Sequence, residues 1–257
     1  MSEKGDGTQG GRLEGKAALV TGASSGLVRA TAIALARAGA DVALVARSRE
    51  ELQNTEEEVS KRGRRALVLP ADLAKEAEAT GALGRAVEGL GRMDVLVNAA
   101  GTDAPGSVEE LAVEGWDRTL AVNLRAPFLL SKAAFPRMRE AGGGLIVNVS
   151  SVAGKKGWAN ASAYCASKFG LTGLTEALAD EGRGHGIRAI VLYPGAMATN
   201  WGAFSPEERK EGEPNEAPPA QVLRPERVAD LIAWVAASPP EFVLTEGIVL
   251  PIEEGLP

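Results

Sequence analysis

Lys16-Ala17-Ala18-Leu19-Val20-Thr21-Gly22-Ala23-Ser24-Ser25-Gly26-Leu27 is the stretch whose reading decides the fold. Ala17 to Val20 reads as a short buried strand, a turn with two glycines follows, and a helical run opens near Leu27. The first N–H groups of a helix have no partner and its dipole attracts negative charge, while glycine lets the backbone approach a ligand closely. Gly22, Ser24, Ser25, Gly26 and Leu27 therefore read as a cradle for a phosphate, although the spacing is not the general G-x-G-x-x-G.

Outward from that turn, short apolar runs alternate with longer amphipathic ones. Strands are expected at Ala17 to Val20, Val42 to Val45, Ala66 to Leu69, Val95 to Val97, Leu145 to Val149, Ile187 to Leu192 and Val243 to Leu250. Helices are expected over Leu27 to Ala38, Arg49 to Arg62, Lys75 to Leu90, Trp116 to Arg139 and Ser162 to Glu181. Strands too uniformly apolar to have a wet face belong in a parallel sheet covered on both sides. The expected fold is thus a single-domain α/β, Rossmann-like, doubly wound parallel sheet of about seven strands with helices on both faces, short of the eight a barrel requires. Residues 1–15, polar and glycine-rich, read as a flexible tail before a dinucleotide-binding and catalytic domain at 16–257. Within it, 196–221 breaks the rhythm with four prolines, the run Glu207-Glu208-Arg209-Lys210-Glu211 and the apolar Trp201 and Phe204, and reads as a substrate flap.

Composition removes several classes. Of 257 residues, 28 are basic and 34 acidic, a net charge of −6 that argues against a nucleic-acid partner and for small molecules. One cysteine, Cys165, makes no internal disulfide, and no secretory leader is legible, so the cytoplasm is the expected compartment. No run of eighteen apolar residues spans a membrane. With one histidine, His185, and no HExxH or CxxC pattern, no metal site is expected. Thr21 to Gly26 also contains G-x-S-x-G, the elbow of serine hydrolases, with Ser24 as nucleophile. That elbow normally follows several strands, and His185 is the only base on offer, so hydrolysis is a remote third option.

Five further positions carry chemistry. Ala46-Arg47-Ser48 ends the second strand without the acidic residue that would select NAD(H), and the permanently charged fork of Arg47 suits the 2′-phosphate of NADP(H). The competing reading is a solvated surface arginine. Tyr164 and Lys168 lie four apart on an Ala-rich helical segment, hence on one face, where an ammonium favours the phenolate. Ser151 closes a strand at the ligand-binding edge of such sheets, or simply caps a turn. Asn123 sits in a helical stretch that it disfavours.

Together these segments resemble the short-chain dehydrogenase/reductase family from Lys16 to about Gly255. Thr21 to Gly26 matches its T-G-x-x-x-G turn, Asp72 with Leu73 its adenine-contacting acidic position, and Asn98-Ala99-Ala100-Gly101 its N-N-A-G segment with one change. Asn123, Ser151, Tyr164 and Lys168 match the catalytic tetrad, and Pro194-Gly195, Met197 and Thr199 fall in the nicotinamide-side P-G-x-x-x-T loop. For Asp72 a helix N-cap is the competing role. The resemblance implies proton transfer by Tyr164, tuning of that phenol and ribose binding by Lys168, a carbonyl hold by Ser151 and a water ordered by Asn123. It also implies a homo-oligomer, a tetramer or dimer, and activity on a carbonyl or alcohol substrate, with 3-oxoacyl carrier-protein reduction as one form. Val28 replaces the last glycine of the family turn and is expected to weaken cofactor binding, and Ala99 replaces an asparagine. The alternative function is a non-catalytic dinucleotide-binding sensor or scaffold. Trp158 is read as part of an apolar substrate wall.

Overall fold

The computed structural model describes residues 12–22, 26–199 and 221–255. Its elements run β1 (Ala17–Thr21), α1 (Gly26–Arg37), β2 (Asp41–Ala46), α2 (Arg49–Ser60), β3 (Ala66–Pro70), α3 (Glu76–Leu90) and β4 (Val95–Asn98). There follow α4 (Val113–Leu120), α5 (Ala126–Glu140), β5 (Gly144–Val149), α6 (Ser162–Gly182), β6 (Ile187–Pro194), α7 (Pro225–Ala237) and β7 (Glu246–Val249). The seven strands form one parallel sheet in the order β3-β2-β1-β4-β5-β6-β7. This is the expected doubly wound, Rossmann-like architecture, and its strand order reverses between β1 and β4.

The uniformly apolar strands divide by parity. Ala18, Val20, Val42, Leu44, Val95, Val97, Leu145 and Val147 point to one face, where Leu35 and Ala32 of α1, Leu52 of α2 and Ile232 of α7 cover them. Ala17, Leu19, Ala43, Val45, Leu96 and Ile146 point to the other, under Leu83 of α3, Leu130 of α5 and Leu178 of α6. Two cores therefore share one sheet, which is why no strand reads as amphipathic. The exception is β7, shorter than the expected Val243 to Leu250 and alternately exposed, because as an edge strand it pairs on one side only.

Two boundaries differ from the sequence reading. Leu13 is buried in the first core and its N–H donates to Ala38 O at 3.0 Å, so part of the stretch assigned to the tail packs on the domain, while residues 1–11 lie outside the described residues. The expected helix Trp116 to Arg139 is two helices joined by a π-turn over Ala121–Arg125, where the Ala126 N–H reaches back to Ala121 O. Asn123 lies in that wide turn. Most of the expected flap, 200–220 with Trp201 and Phe204, is outside the described residues. Its flanks meet: Met197 bridges Leu223, and Ala198 N–H donates to Leu223 O at 2.9 Å. Among the described residues no helix is long and apolar enough to cross a membrane, and no group of three or more His, Cys, Asp or Glu is placed to hold a metal ion.

Candidate active site

Because every strand points the same way, the loops after β1, β2, β3, β4, β5 and β6 open on one edge of the sheet. There they enclose a cleft of about 860 Å³. Its lining includes Gly22, Gly26 and Leu27 after β1, Arg47 after β2, Asp72 and Leu73 after β3, and Gly101 after β4. Ser151, Tyr164 and Lys168 line it on the β5 and α6 side, with Pro194, Gly195, Met197 and Thr199 after β6. Trp158 lines it too, half exposed. Ser24 and Ser25 lie outside the described residues. Gly22 has φ +85°, and a Cβ there would stand 3.0 Å from the Ala100 Cα, so the backbone itself forms the cradle.

Asn98 and Asn123 are placed differently from the other expected residues. Asn98 is buried within the sheet, its Nδ2 donating to Asn148 Oδ1 at 2.8 Å, and it does not line the cleft as a cofactor contact would. Asn148 Nδ2 donates in turn to Thr175 Oγ1 at 2.8 Å. Asn123 stands behind the cleft wall. Its Nδ2 donates to Thr102 O at 2.9 Å and Ser167 Oγ at 3.0 Å, and its Oδ1 accepts the Thr102 N–H at 2.9 Å. Both amide hydrogens are thus committed to protein, and the side chain pins the β4 loop against α6.

On the β5 and α6 wall, Tyr164 is 8% exposed and Lys168 4%, one turn apart on α6. Burial pushes the Tyr164 phenol above its usual range, opposed by a hydrogen bond with Ser151 and reinforced by the nearby Asp103 carboxylate. Burial pulls Lys168 down to about 8, and its Nζ donates to Val149 O at 2.8 Å while lying 5.5 Å from the Tyr164 ring centroid. The expected lowering of the phenol by the ammonium is absent here: burial is the largest influence on Tyr164, and the hydrogen bond with Ser151 is what opposes it. Ser151 lines the cleft, caps the turn Val152–Gly154 through the Ala153 N–H at 3.3 Å and bonds Tyr164.

At the opposite end of the cleft, Arg47 is exposed and close enough to Asp72 to help hold its carboxyl below the ordinary range. Burial works against that lowering and is overcome, together with Arg47, by the Ala74 N–H and by Arg118. Asp72 is not the cap of α3, whose N-cap is Lys75; its Oδ1 accepts the Ala74 N–H at 3.1 Å and closes a local turn. His185 immediately precedes β6, at the far end of the parallel sheet from the turn after β1.

The family model described as short chain dehydrogenase matches residues 16–210. The chain belongs to the short-chain dehydrogenase/reductase family. It is an oxidoreductase by that membership. An uncharacterized oxidoreductase of Thermotoga maritima is 37% identical over 249 residues, 95% of this chain and 98% of the relative. D-threitol dehydrogenase of Mycolicibacterium smegmatis is 40% identical over 191 residues, 74% of each chain. A solved metagenomic short-chain oxidoreductase in complex with NADP superposes with a TM-score of 0.80 at 34% identity, covering 93% of this chain and 98% of its own.

Both departures from the short-chain dehydrogenase/reductase pattern have a structural account. Val28 is buried in the core beneath α1, lines the cleft, and holds its Cγ2 where a Cβ on Gly22 would be 3.4 Å away. Ala99 keeps its backbone role, since the N–H groups of Ala99 and Ala100 both donate to Thr21 Oγ1, at 3.1 and 3.2 Å. Asn148, Ser167 and Thr175 are buried polar residues to which the sequence reading gave no role; Asn148 stands inside the apolar run Leu145 to Val149, and that oddity was the available signal.

Proposed function

We propose that this protein interconverts a carbonyl and a secondary alcohol using NADP(H), with NAD(H) the weaker cofactor. The observation that carries the reading is that Ser151, Tyr164 and Lys168 converge on one wall of a cleft whose far end holds Gly22, Arg47 and Asp72. That cleft suits a dinucleotide in length and chemistry: a backbone cradle without a side chain at Gly22, and a guanidinium where a 2′-phosphate would lie. The bound nicotinamide supplies or accepts the hydride. The NADP in the related metagenomic structure supports the same cofactor here.

In this reading Ser151 holds the substrate oxygen and Tyr164 exchanges a proton with it. A phenol kept neutral by burial is suited to donate that proton to a carbonyl oxygen as charge develops. Lys168 binds the ribose, and Asn123 acts by positioning the Thr102 loop and α6. The protein is taken as a cytoplasmic homo-oligomer, for which the half-exposed Phe128 on α5 and Phe169 on α6 give an apolar contact face.

Absorbance loss from NADPH across a panel of ketones, 3-oxoacyl thioesters and the ketone of D-threitol tests the reading. Turnover of at least one is expected; binding without turnover across the panel would instead favour a dinucleotide sensor. Arg47→Ala is expected to reduce the preference for NADP(H) over NAD(H) about tenfold, the scale of one charge-assisted phosphate contact, as read from the two dissociation constants.

A further inference from the structure

The C-terminal segment brings a carboxylate to the cleft that the proposed chemistry does not use. After β7 the chain turns, with Glu254 N–H donating to Pro251 O at 3.0 Å, and runs back against the loop that leaves β6. Gly195 N–H donates to Val249 O at 2.9 Å, and Ala196 N–H donates to Glu254 Oε2 at 2.8 Å. The contact is close enough that a methyl group on Gly195 would strike the Glu254 carboxylate. The same loop reaches the glycine turn at its other end, where Thr199 Cγ2 lies 3.1 Å from the place of a Cβ on Gly26. Among the described residues no cation pairs with Glu254, and it lines the cleft beside Pro194, Gly195 and Ala196. The other acidic lining residues, Glu51 and Asp72, belong to the end formed by α2 and the β3 loop.

We propose that Glu254 biases the cleft toward the oxidised dinucleotide, which makes the bound reduced form the stronger hydride donor and favours carbonyl reduction on the protein. The proposal rests on the functional reading above, including the nicotinamide-side place of the Pro194–Thr199 loop. Oxidised and reduced dinucleotides share their phosphates, riboses and adenine, so any repulsion of those groups by Glu254 cancels when the two forms are compared. They differ in one positive charge on the oxidised pyridinium ring. A fixed negative charge at that end favours the oxidised form by a Coulombic margin. The Lys168 ammonium on the opposite wall acts the other way, and its effect is common to wild type and variants.

The test uses Glu254→Gln, which removes the charge and keeps an oxygen to accept the Ala196 N–H, beside Glu254→Ala, which removes both. Dissociation constants for NADP+ and NADPH are measured without substrate by calorimetry, with thermal melts verifying that each variant is folded. The advantage of oxidised over reduced cofactor is expected to fall about 3- to 10-fold in Glu254→Gln, the scale of one partly screened charge at the edge of a cleft. Glu254→Ala is expected to show the same change in ratio and weaker binding of both forms. Equal changes for both forms in Glu254→Gln, or none, would reduce Glu254 to an anchor of the loop and overturn the proposal while leaving the functional reading intact. Failure of the wild-type protein to bind either form would remove that reading, and the proposal with it.

Discussion

The two ends of the sheet treat a buried charge in opposite ways. At the amino-terminal end, Asp94 is 7% exposed, yet it accepts from Arg92 Nε and Nη2, both at 2.6 Å, from Lys16 Nζ at 3.0 Å and from the Ala17 N–H at 3.0 Å. Burial alone would raise its pKa, but these four donors hold the carboxyl below its ordinary value. At the carboxyl-terminal end, Lys168 is as deeply buried, and among the described residues its ammonium donates to one carbonyl, Val149 O, and to no carboxylate. Its pKa falls to about 8. A charge that serves the fold is fully partnered, whereas one that faces a reacting group is left short of partners.

Tyr164→Phe strikes the carboxyl-terminal end hardest. It should lower turnover by about 10³-fold, within the range for removing a proton-transfer group, while the NADPH dissociation constant and the unfolding midpoint stay near wild type; equal rates would refute the role of the phenol. Asp94→Ala breaks the other end. Leaving Arg92, Lys16 and the Ala17 N–H without their acceptor should cost about 3 kcal/mol in urea unfolding. The depressed pKa means that Asp94 contributes its full stability above the ordinary carboxylate range and loses it as pH falls through the native value. The wild-type and Asp94→Ala curves should therefore converge in acid.

Lys168→Met reverses the sign of the comparison. Turnover should be lost, yet at pH 7 the protein should gain about 1–2 kcal/mol, because the wild type keeps an ammonium where water is excluded. A lysine depressed on folding releases its proton from the native state first, so wild-type stability rises between pH 8 and the unfolded value near 10.5. The advantage of Lys168→Met should shrink across that window. Val28→Gly gives the smallest functional change: NADPH should bind about threefold tighter as the wall beside Gly22 recedes, against roughly 2 kcal/mol of stability lost to a cavity and a helical glycine. An unchanged dissociation constant would leave Val28 a core residue only.

The sheet, its strand count and the cleft wall shared by Tyr164 and Lys168 were legible because strands buried on both faces leave apolar runs, and because i,i+4 spacing places those two residues together without tertiary knowledge. The break at Ala121–Arg125 was legible only as an unsuitable Asn123, since a π-turn depends on what packs around it. That the phenol is raised rather than lowered depends on burial, which spacing does not encode. Asn98 resembled a cofactor contact, but its neighbour across the sheet is Asn148, fifty residues on, a pairing that only the tertiary register reveals.

Thr21, Asn98 and Asn148 occupy one row across β1, β4 and β5, Thr21 opposite Asn98 and Asn98 opposite Asn148. Strands greasy on both sides have no wet face to tell them where to stop sliding. This polar row works as an index mark, lining up three strand tips whose next few residues are Gly22, Gly101 and Ser151. A one-residue slip at any of them would shift hydride geometry and anion cradle together, so alignment of the fold and alignment of the reactants are a single specification.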